Sequence, residues 1–151
     1  MNNRITDSVI YIGADDTTLD LFESQYIVPN GISYNSYVIL DEKIAVMDTI
    51  DQRKTEEWFT NLEQALNGRL PDYLVVQHME PDHAANIGRF AEKFPDATIV
   101  ATAKAIQMMP QCFEQITFEN RTLAVKEGDQ LSLGQHTRNF IMAPMVHWPE
   151  V

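Results

Sequence analysis

Between Val75 and Ile87 the chain reads VVQHMEPDHAANI, which sets His78, Glu80, Asp82 and His83 within six positions directly after an apolar run. Two imidazoles and two carboxylates with no thiolate make a mixed nitrogen and oxygen donor set, better suited to iron, manganese or zinc than to a soft metal. If residues 78–82 are extended, the two-residue period of a strand puts His78, Glu80 and Asp82 on one side and Met79 and Pro81 on the other. His83 then opens a helix and can swing back toward the same point. Because a carboxylate can bridge, two metals a few ångströms apart are chemically reasonable. The same residues admit a purely structural reading, in which Asp82 is the N-cap of a helix starting at His83 and Pro81 keeps Glu80 out of that helix.

A second signal is APMVHWPE, residues 143–150, where His147 follows an apolar stretch and lies between prolines that stiffen the loop. His147 either completes the donor set or is a loop histidine packed on Trp148. Other candidates carry less. His136 sits among polar neighbours in a strand pattern and reads as a surface residue. Cys112 lacks a CxxC partner, and Met108, Met109 and Phe113 around it have the spacing of a helix core, so a catalytic thiol is not expected. Residues 33–36, SYNS, have neither a G-x-S-x-G setting nor a glycine-rich phosphate loop.

The elements that position these residues follow from periodicity. SVIYIG (8–13), SYNSYVIL (33–40) and KIAVMDTI (43–50) read as strands, the last two forming an antiparallel ribbon around a turn at Asp41-Glu42. Trp58, Phe59, Leu62, Ala65 and Leu66 recur at helical spacing over residues 52–66, with Asn67-Gly68 as the stop. DYLVVQ (72–77) is a buried strand, followed by a helix over His83 to Lys93 and by ATIVAT (97–102), the parallel partner of a βαβ unit. A short helix from Lys104 to Met109 ends at Pro110. Residues 121–146 alternate in short strands, with turns at Gly128-Asp129 and Gly134-Gln135. The quoted donors thus emerge at the carboxyl end of a buried strand, where open α/β sheets place ligands. The whole reads as one domain of mixed α/β or α+β class.

Composition bounds the function. The 151 residues carry 22 acidic and 11 basic side chains, a formal charge of -11, which disfavours nucleic acid and anionic lipid surfaces as partners. One cysteine excludes an internal disulfide or a Cys-rich metal cage. The start MNNRITDSVI lacks a signal-peptide core and no stretch reaches the roughly 20 apolar residues of a membrane span, so a cytoplasmic, membrane-free protein is expected.

H-M-E-P-D-H, residues 78–83, resembles the H-x-E-x-D-H signature of the flavodiiron proteins, or A-type flavoproteins. GISYNSYVILDEKIAVMDTID (31–51), EGDQLSLG (127–134) and APMVHWPE look like further recurrent segments of that family, in the same order and at similar spacing, so the resemblance covers nearly the whole chain. It implies an α+β, metallo-β-lactamase-like αβ/βα sandwich, of which residues 1–151 are mainly the N-terminal half. In the wider metallo-β-lactamase superfamily the motif usually reads H-x-H-x-D-H, and Glu80 stands where the second histidine would be. An anionic oxygen there favours harder, more oxidised iron over zinc. By resemblance, His78, Glu80 and His147 hold one iron, and Asp82 and His83 the other.

The family pattern also needs a bridging aspartate and a final histidine beyond the position of His147, and a flavodoxin-like domain with FMN. The chain stops at Val151 before any of them, so the expectation is a truncated domain with two iron ions in an incomplete site and FMN only in the intact protein. Three functions follow. The first is a portion of a diiron oxidoreductase that reduces dioxygen to water or nitric oxide to nitrous oxide, fed by a donor such as rubredoxin or a flavin reductase and working as a homodimer. The second is a metal-dependent hydrolase of the superfamily, and the third a non-catalytic fragment. A half-sandwich would also leave sheet edges and an apolar face without cover, and so be weakly stable alone or self-associate.

Overall fold

In the computed structural model, which describes residues 3–151, helices pack on one face of a six-stranded sheet and a hairpin on the other. In chain order the first elements are β1 (Val9–Tyr11), β2 (Ala14–Asp16), β3 (Leu21–Phe22), β4 (Tyr26–Ile27), β5 (Ile32–Tyr34), β6 (Tyr37–Ile39) and β7 (Ala45–Met47). A 3-10 turn then leads into α1 (Thr55–Leu66), followed by β8 (Tyr73–Val75), α2 (Pro81–Ala84), α3 (Ile87–Lys93) and β9 (Thr98–Thr102). The chain continues through α4 (Ala103–Cys112), β10 (Thr122–Val125), β11 (Gln130–Ser132) and β12 (Thr137–Asn139).

The main sheet runs β1-β6-β7-β8-β9-β10. β1, β6 and β7 form an antiparallel meander, which includes the expected ribbon with Tyr37 opposite Met47. From β7 to β10 every pairing is parallel, each crossover being made through helices, so the expected βαβ unit is present and is repeated. The two-residue period sorts the side chains. Val46, Leu74 and Ile99 face the helices and meet Trp58, Leu62, Ile87, Phe90 and Met109, all fully buried. Ala45, Met47, Val75 and Val100 face the other way, under Leu131 and Leu133 of the β11–β12 hairpin. The second face is therefore partly covered, contrary to the expectation of a bare apolar face. What remains is a cavity of about 260 Å³, lined by Met47, Val75, Thr102, Arg138, Phe140 and Val151 among others.

The hairpin is held at the opposite edge from the carboxyl ends of these strands. Asp41 Oδ2 accepts from His136 N at 2.6 Å and lies 2.6 Å from His136 Nδ1, while His136 Nε2 lies 3.0 Å from Ser8 Oγ. His136, expected to be a plain surface residue, is part-buried and pins the hairpin to the β6–β7 turn.

Three expected elements differ. SYNSYVIL is not one strand: β5 pairs with β2 in a separate ribbon, and the chain bends at Asn35-Ser36 before β6 joins the main sheet. The bend points Ser36 inward, where its hydroxyl donates to Asp48 O at 2.8 Å and accepts from Trp58 Nε1 at 3.0 Å. The helix expected over His83 to Lys93 begins at Pro81 and breaks between α2 and α3. There Asn86 is buried, its Nδ2 donating to Ile50 O at 2.7 Å and its Oδ1 accepting from Thr55 Oγ1 at 2.7 Å, which fixes the break against α1. Finally, α4 runs past Pro110 to Cys112. Proline removes one helical hydrogen bond, whereas Ala105 and Met109 are buried on the helix's inner side and Phe113 N closes the end on Met109 O.

Candidate metal centre

The parallel pairing of β7, β8 and β9 brings their carboxyl ends to one edge, and the donors collect there. After β8 and a short loop Glu80 is extended (φ -63°, ψ 143°), and Pro81 at the first helical position turns the chain into α2. His78 and Glu80 are buried. His78 Nε2 lies 2.9 Å and His147 Nε2 2.8 Å from the same oxygen, Glu80 Oε2. One donor atom from each of these three residues lies within 4.8 Å of the others, so the set could hold one ion.

Asp82 and His83 stand beside this trio. The His78 and His83 ring centroids are 5.3 Å apart, and Asp82 Oδ2 lies 3.5 Å from His83 Nε2. Asp82 Oδ1 is buried with no hydrogen-bond partner among the described residues, a costly state that a cation would relieve. Asp82 is therefore neither extended beside Glu80 nor the N-cap of its helix. The N-cap position belongs to Glu80, whose carboxylate makes no cap bond because it faces the histidines instead.

The charge balance is anionic. Burial pushes the Glu80 carboxyl up, but hydrogen bonds with Glu23, His147 and His78 prevail and hold it at about 2. Burial raises Asp82, against the pull of His83. Burial lowers His83, but its bond to Asp48 and the neighbouring carboxylates raise it overall, and the Glu80 hydrogen bond raises His147. Carboxylates crowd the histidines with no Lys or Arg ion pair to Glu80, Asp82 or Glu150 among the described residues.

Three further carboxylates lie outside the pattern legible in the sequence. Asp48, buried at the end of β7, accepts from Gln77 N at 2.7 Å and from Gln77 Nε2 at 3.1 Å, and its Oδ2 lies 3.2 Å from His83 Nδ1. Its one sequence signal is an acidic residue closing the apolar run KIAVM. Glu150 Oε1 lies 2.9 Å from His78 Nδ1 and accepts from Met79 N at 3.0 Å. Nothing in the sequence separates it from other acids. Glu23, at the tip of the β3–β4 ribbon, also reaches Glu80, whose carboxylate raises it.

A family model described as "ODP family beta lactamase" matches residues 32–151. The chain belongs to this family. The nitric oxide reductase of Moorella thermoacetica is 37% identical over 147 residues, covering 97% of the chain and 36% of that protein. The anaerobic nitric oxide reductase flavorubredoxin of Vibrio vulnificus is 30% identical, over 99% of the chain and 30% of that relative. Among solved structures, the flavodiiron protein from Giardia intestinalis superposes with a TM-score of 0.90 at 29% identity, covering 99% of the chain and 36% of its own. The rubredoxin oxygen:oxidoreductase from Desulfovibrio gigas also gives 0.90, at 30% identity over 97% and 36%. The ODP-family chain thus has the β-lactamase-like fold of flavodiiron proteins and spans about a third of these relatives' length. Its residues fit a hard cation: a nitrogen and oxygen donor set, three donors converging, and an orphaned carboxylate oxygen beside them.

Proposed function

We propose that residues 1–151 are one portion of a β-lactamase-like domain in a diiron oxidoreductase that reduces dioxygen to water or nitric oxide to nitrous oxide. The observation that carries this reading is the convergence of His78, Glu80 and His147 on one point, with Asp82 and His83 alongside. The names of the relatives, nitric oxide reductase and rubredoxin oxygen:oxidoreductase, support both gases as substrates and rubredoxin as donor, with a flavin reductase as the alternative donor. The remaining ligands and the FMN would come from polypeptide outside this stretch. We place the protein in the cytoplasm and expect a homodimer; among the described residues no helix is long and apolar enough to cross a membrane.

His78, Glu80 and His147 would hold one iron, and Asp82 and His83 the other. Two iron ions held there would supply the redox chemistry for reducing the small gas. The chain's own residues set the conditions for it. Glu80 contributes an anionic oxygen that favours iron over zinc. Asp48 orients the His83 ring, and the Trp58–Ser36–Asp48 hydrogen bonds tie that orientation to the core.

The test is the iron and zinc content of anaerobically purified protein, with His78→Ala and Glu80→Ala alongside. Bound iron that falls in both variants is expected. Zinc in preference to iron, with flavin-independent ester or amide hydrolysis, would replace this reading by a hydrolase, and no metal in any of the three would leave a non-catalytic fragment.

A further inference from the structure

We infer, resting on the metal-centre reading above, that Glu150 is a positioning residue whose buried carboxylate fixes the His78 tautomer that offers Nε2 to the metal. The carboxylate sits on the far side of the ring from Glu80, with Oε1 2.9 Å from Nδ1 and Glu80 Oε2 2.9 Å from Nε2. An ionised carboxylate only accepts, and both ring nitrogens lie 2.9 Å from one, so what separates them is the setting: Glu80 Oε2 is shared with His147 in the trio that could hold an ion, which leaves Nδ1–H to Glu150 and the Nε2 lone pair to the cation. That lone pair faces another carboxylate oxygen and the His147 nitrogen. A cation among the three satisfies them all, and Nε2 is the nitrogen that faces it.

The cost of burying Glu150 points the same way. Its side chain is fully buried, no Lys or Arg pairs with it among the described residues, and Oε2 has no partner. A carboxylate so placed is expensive by itself, and a cation on the opposite side of the imidazole offsets the expense. Carboxylates that receive the outer N–H of a ligating histidine fix its tautomer and raise its basicity. His83 has a counterpart in Asp48, so both histidines of the motif have a carboxylate on Nδ1.

Glu150 has a second contact, which supplies the competing explanation. Its backbone oxygen accepts from Thr102 Oγ1 at 2.9 Å at the end of β9, and this docks the segment that carries His147. If docking were its whole role, loosening Thr102 would do as much harm as removing the carboxylate.

The experiment titrates Zn²⁺ and, anaerobically, Fe²⁺ into the wild type, Glu150→Gln, Glu150→Leu and Thr102→Val against a chelator, and records the His78 ring ¹⁵N and ¹H signals of the Zn²⁺ forms. Thermal melts confirm that each variant folds. We expect a protected proton on His78 Nδ1 in the wild type, and an affinity lower by about 10–100-fold in Glu150→Leu. Glu150→Gln, whose amide oxygen can still accept both bonds, keeps the tautomer and loses less. Thr102→Val stays near the wild type. A wild-type His78 protonated on Nε2, an unchanged affinity in Glu150→Leu, or an equal loss in Thr102→Val would overturn the assignment while leaving the metal centre standing. No metal binding by the wild type would overturn both.

Discussion

Asp48 adopts a left-handed backbone conformation, φ 56°, directly after β7, and its carboxylate is shared between Gln77 and His83. Such a conformation at a non-glycine residue costs on the order of 1–3 kcal/mol, least for Asn and Asp, and persists where its surroundings over-determine it. Here the two bonds from Gln77 do so, and the conformation aims the carboxylate at the His83 ring. Asp48→Asn keeps the backbone preference and removes the charge. We expect it to fold with a similar melting temperature and to bind Zn²⁺ about 10-fold or more weakly in a chelator competition. Unchanged affinity would mean that Asp48 only shapes the loop. The histidines of the site were legible because they are a rare type, four in the chain, with two of them six positions or fewer from two acids. Asp48 and Glu150 were not. They are two among 22 acidic residues, and their histidine partners lie 35 and 72 positions away, beyond any local pattern.

The periodic elements, α1 and β7 through β9, were legible because each buries one face, and a buried face imposes its period on the sequence. The breaks were not, since what bends the chain at Ser36 and Asn86 is a side chain bonding to another element. The β2–β5 ribbon likewise depends on a contact between distant residues. It is anchored by Asp16, which is buried and accepts from Arg53 Nε at 2.7 Å and from Thr18 Oγ1 at 2.8 Å. Arg53 is 37 positions away and precedes α1, so this contact ties the ribbon to the helix layer. The Arg53 hydrogen bond is the largest influence on Asp16 and, over the opposing effect of burial, lowers its carboxyl from 3.8 to about 2. A carboxyl lowered on folding stabilises the native state above its unfolded value and loses that contribution as pH falls through its folded value. The loss should fall between about pH 4 and pH 2 and amount to at most about 2 kcal/mol, less to the extent that solvent screens the half-exposed Arg53. Urea unfolding of Asp16→Asn and wild type across that range checks this. The variant should be less stable at neutral pH and show a shallower decline. Parallel curves would place the acid sensitivity elsewhere.

At the scale of the molecule two forces oppose each other. Ile27, Ile141, Met145 and Val146 are 77–83% exposed, and Leu21 and Tyr26 add to the apolar surface of the β3–β4 ribbon. Met145 and Val146 directly precede His147, whose Nε2 lies 2.8 Å from Glu80 Oε2, so these two apolar side chains sit beside the metal centre. Large exposed apolar groups favour association. The net charge of -11 opposes it, because two copies repel over a distance set by the ionic strength. The Debye length shrinks from about 30 Å at 0.01 M salt to about 8 Å at 0.15 M, so salt weakens the repulsion and leaves the apolar attraction. Self-association should therefore strengthen as salt rises, and the melting temperature should depend on protein concentration more at 0.15 M than at 0.01 M. Ile141→Ser with Val146→Ser should remove most of that dependence without lowering the melting temperature at low concentration, since neither side chain is buried in the single chain. Sedimentation velocity across concentration and salt measures it directly. A monomer at every salt concentration would mean that the β11–β12 hairpin already covers the apolar face well enough for the chain to stand alone. Association that weakens as salt rises would mean that ion pairs, not apolar contact, hold the copies together.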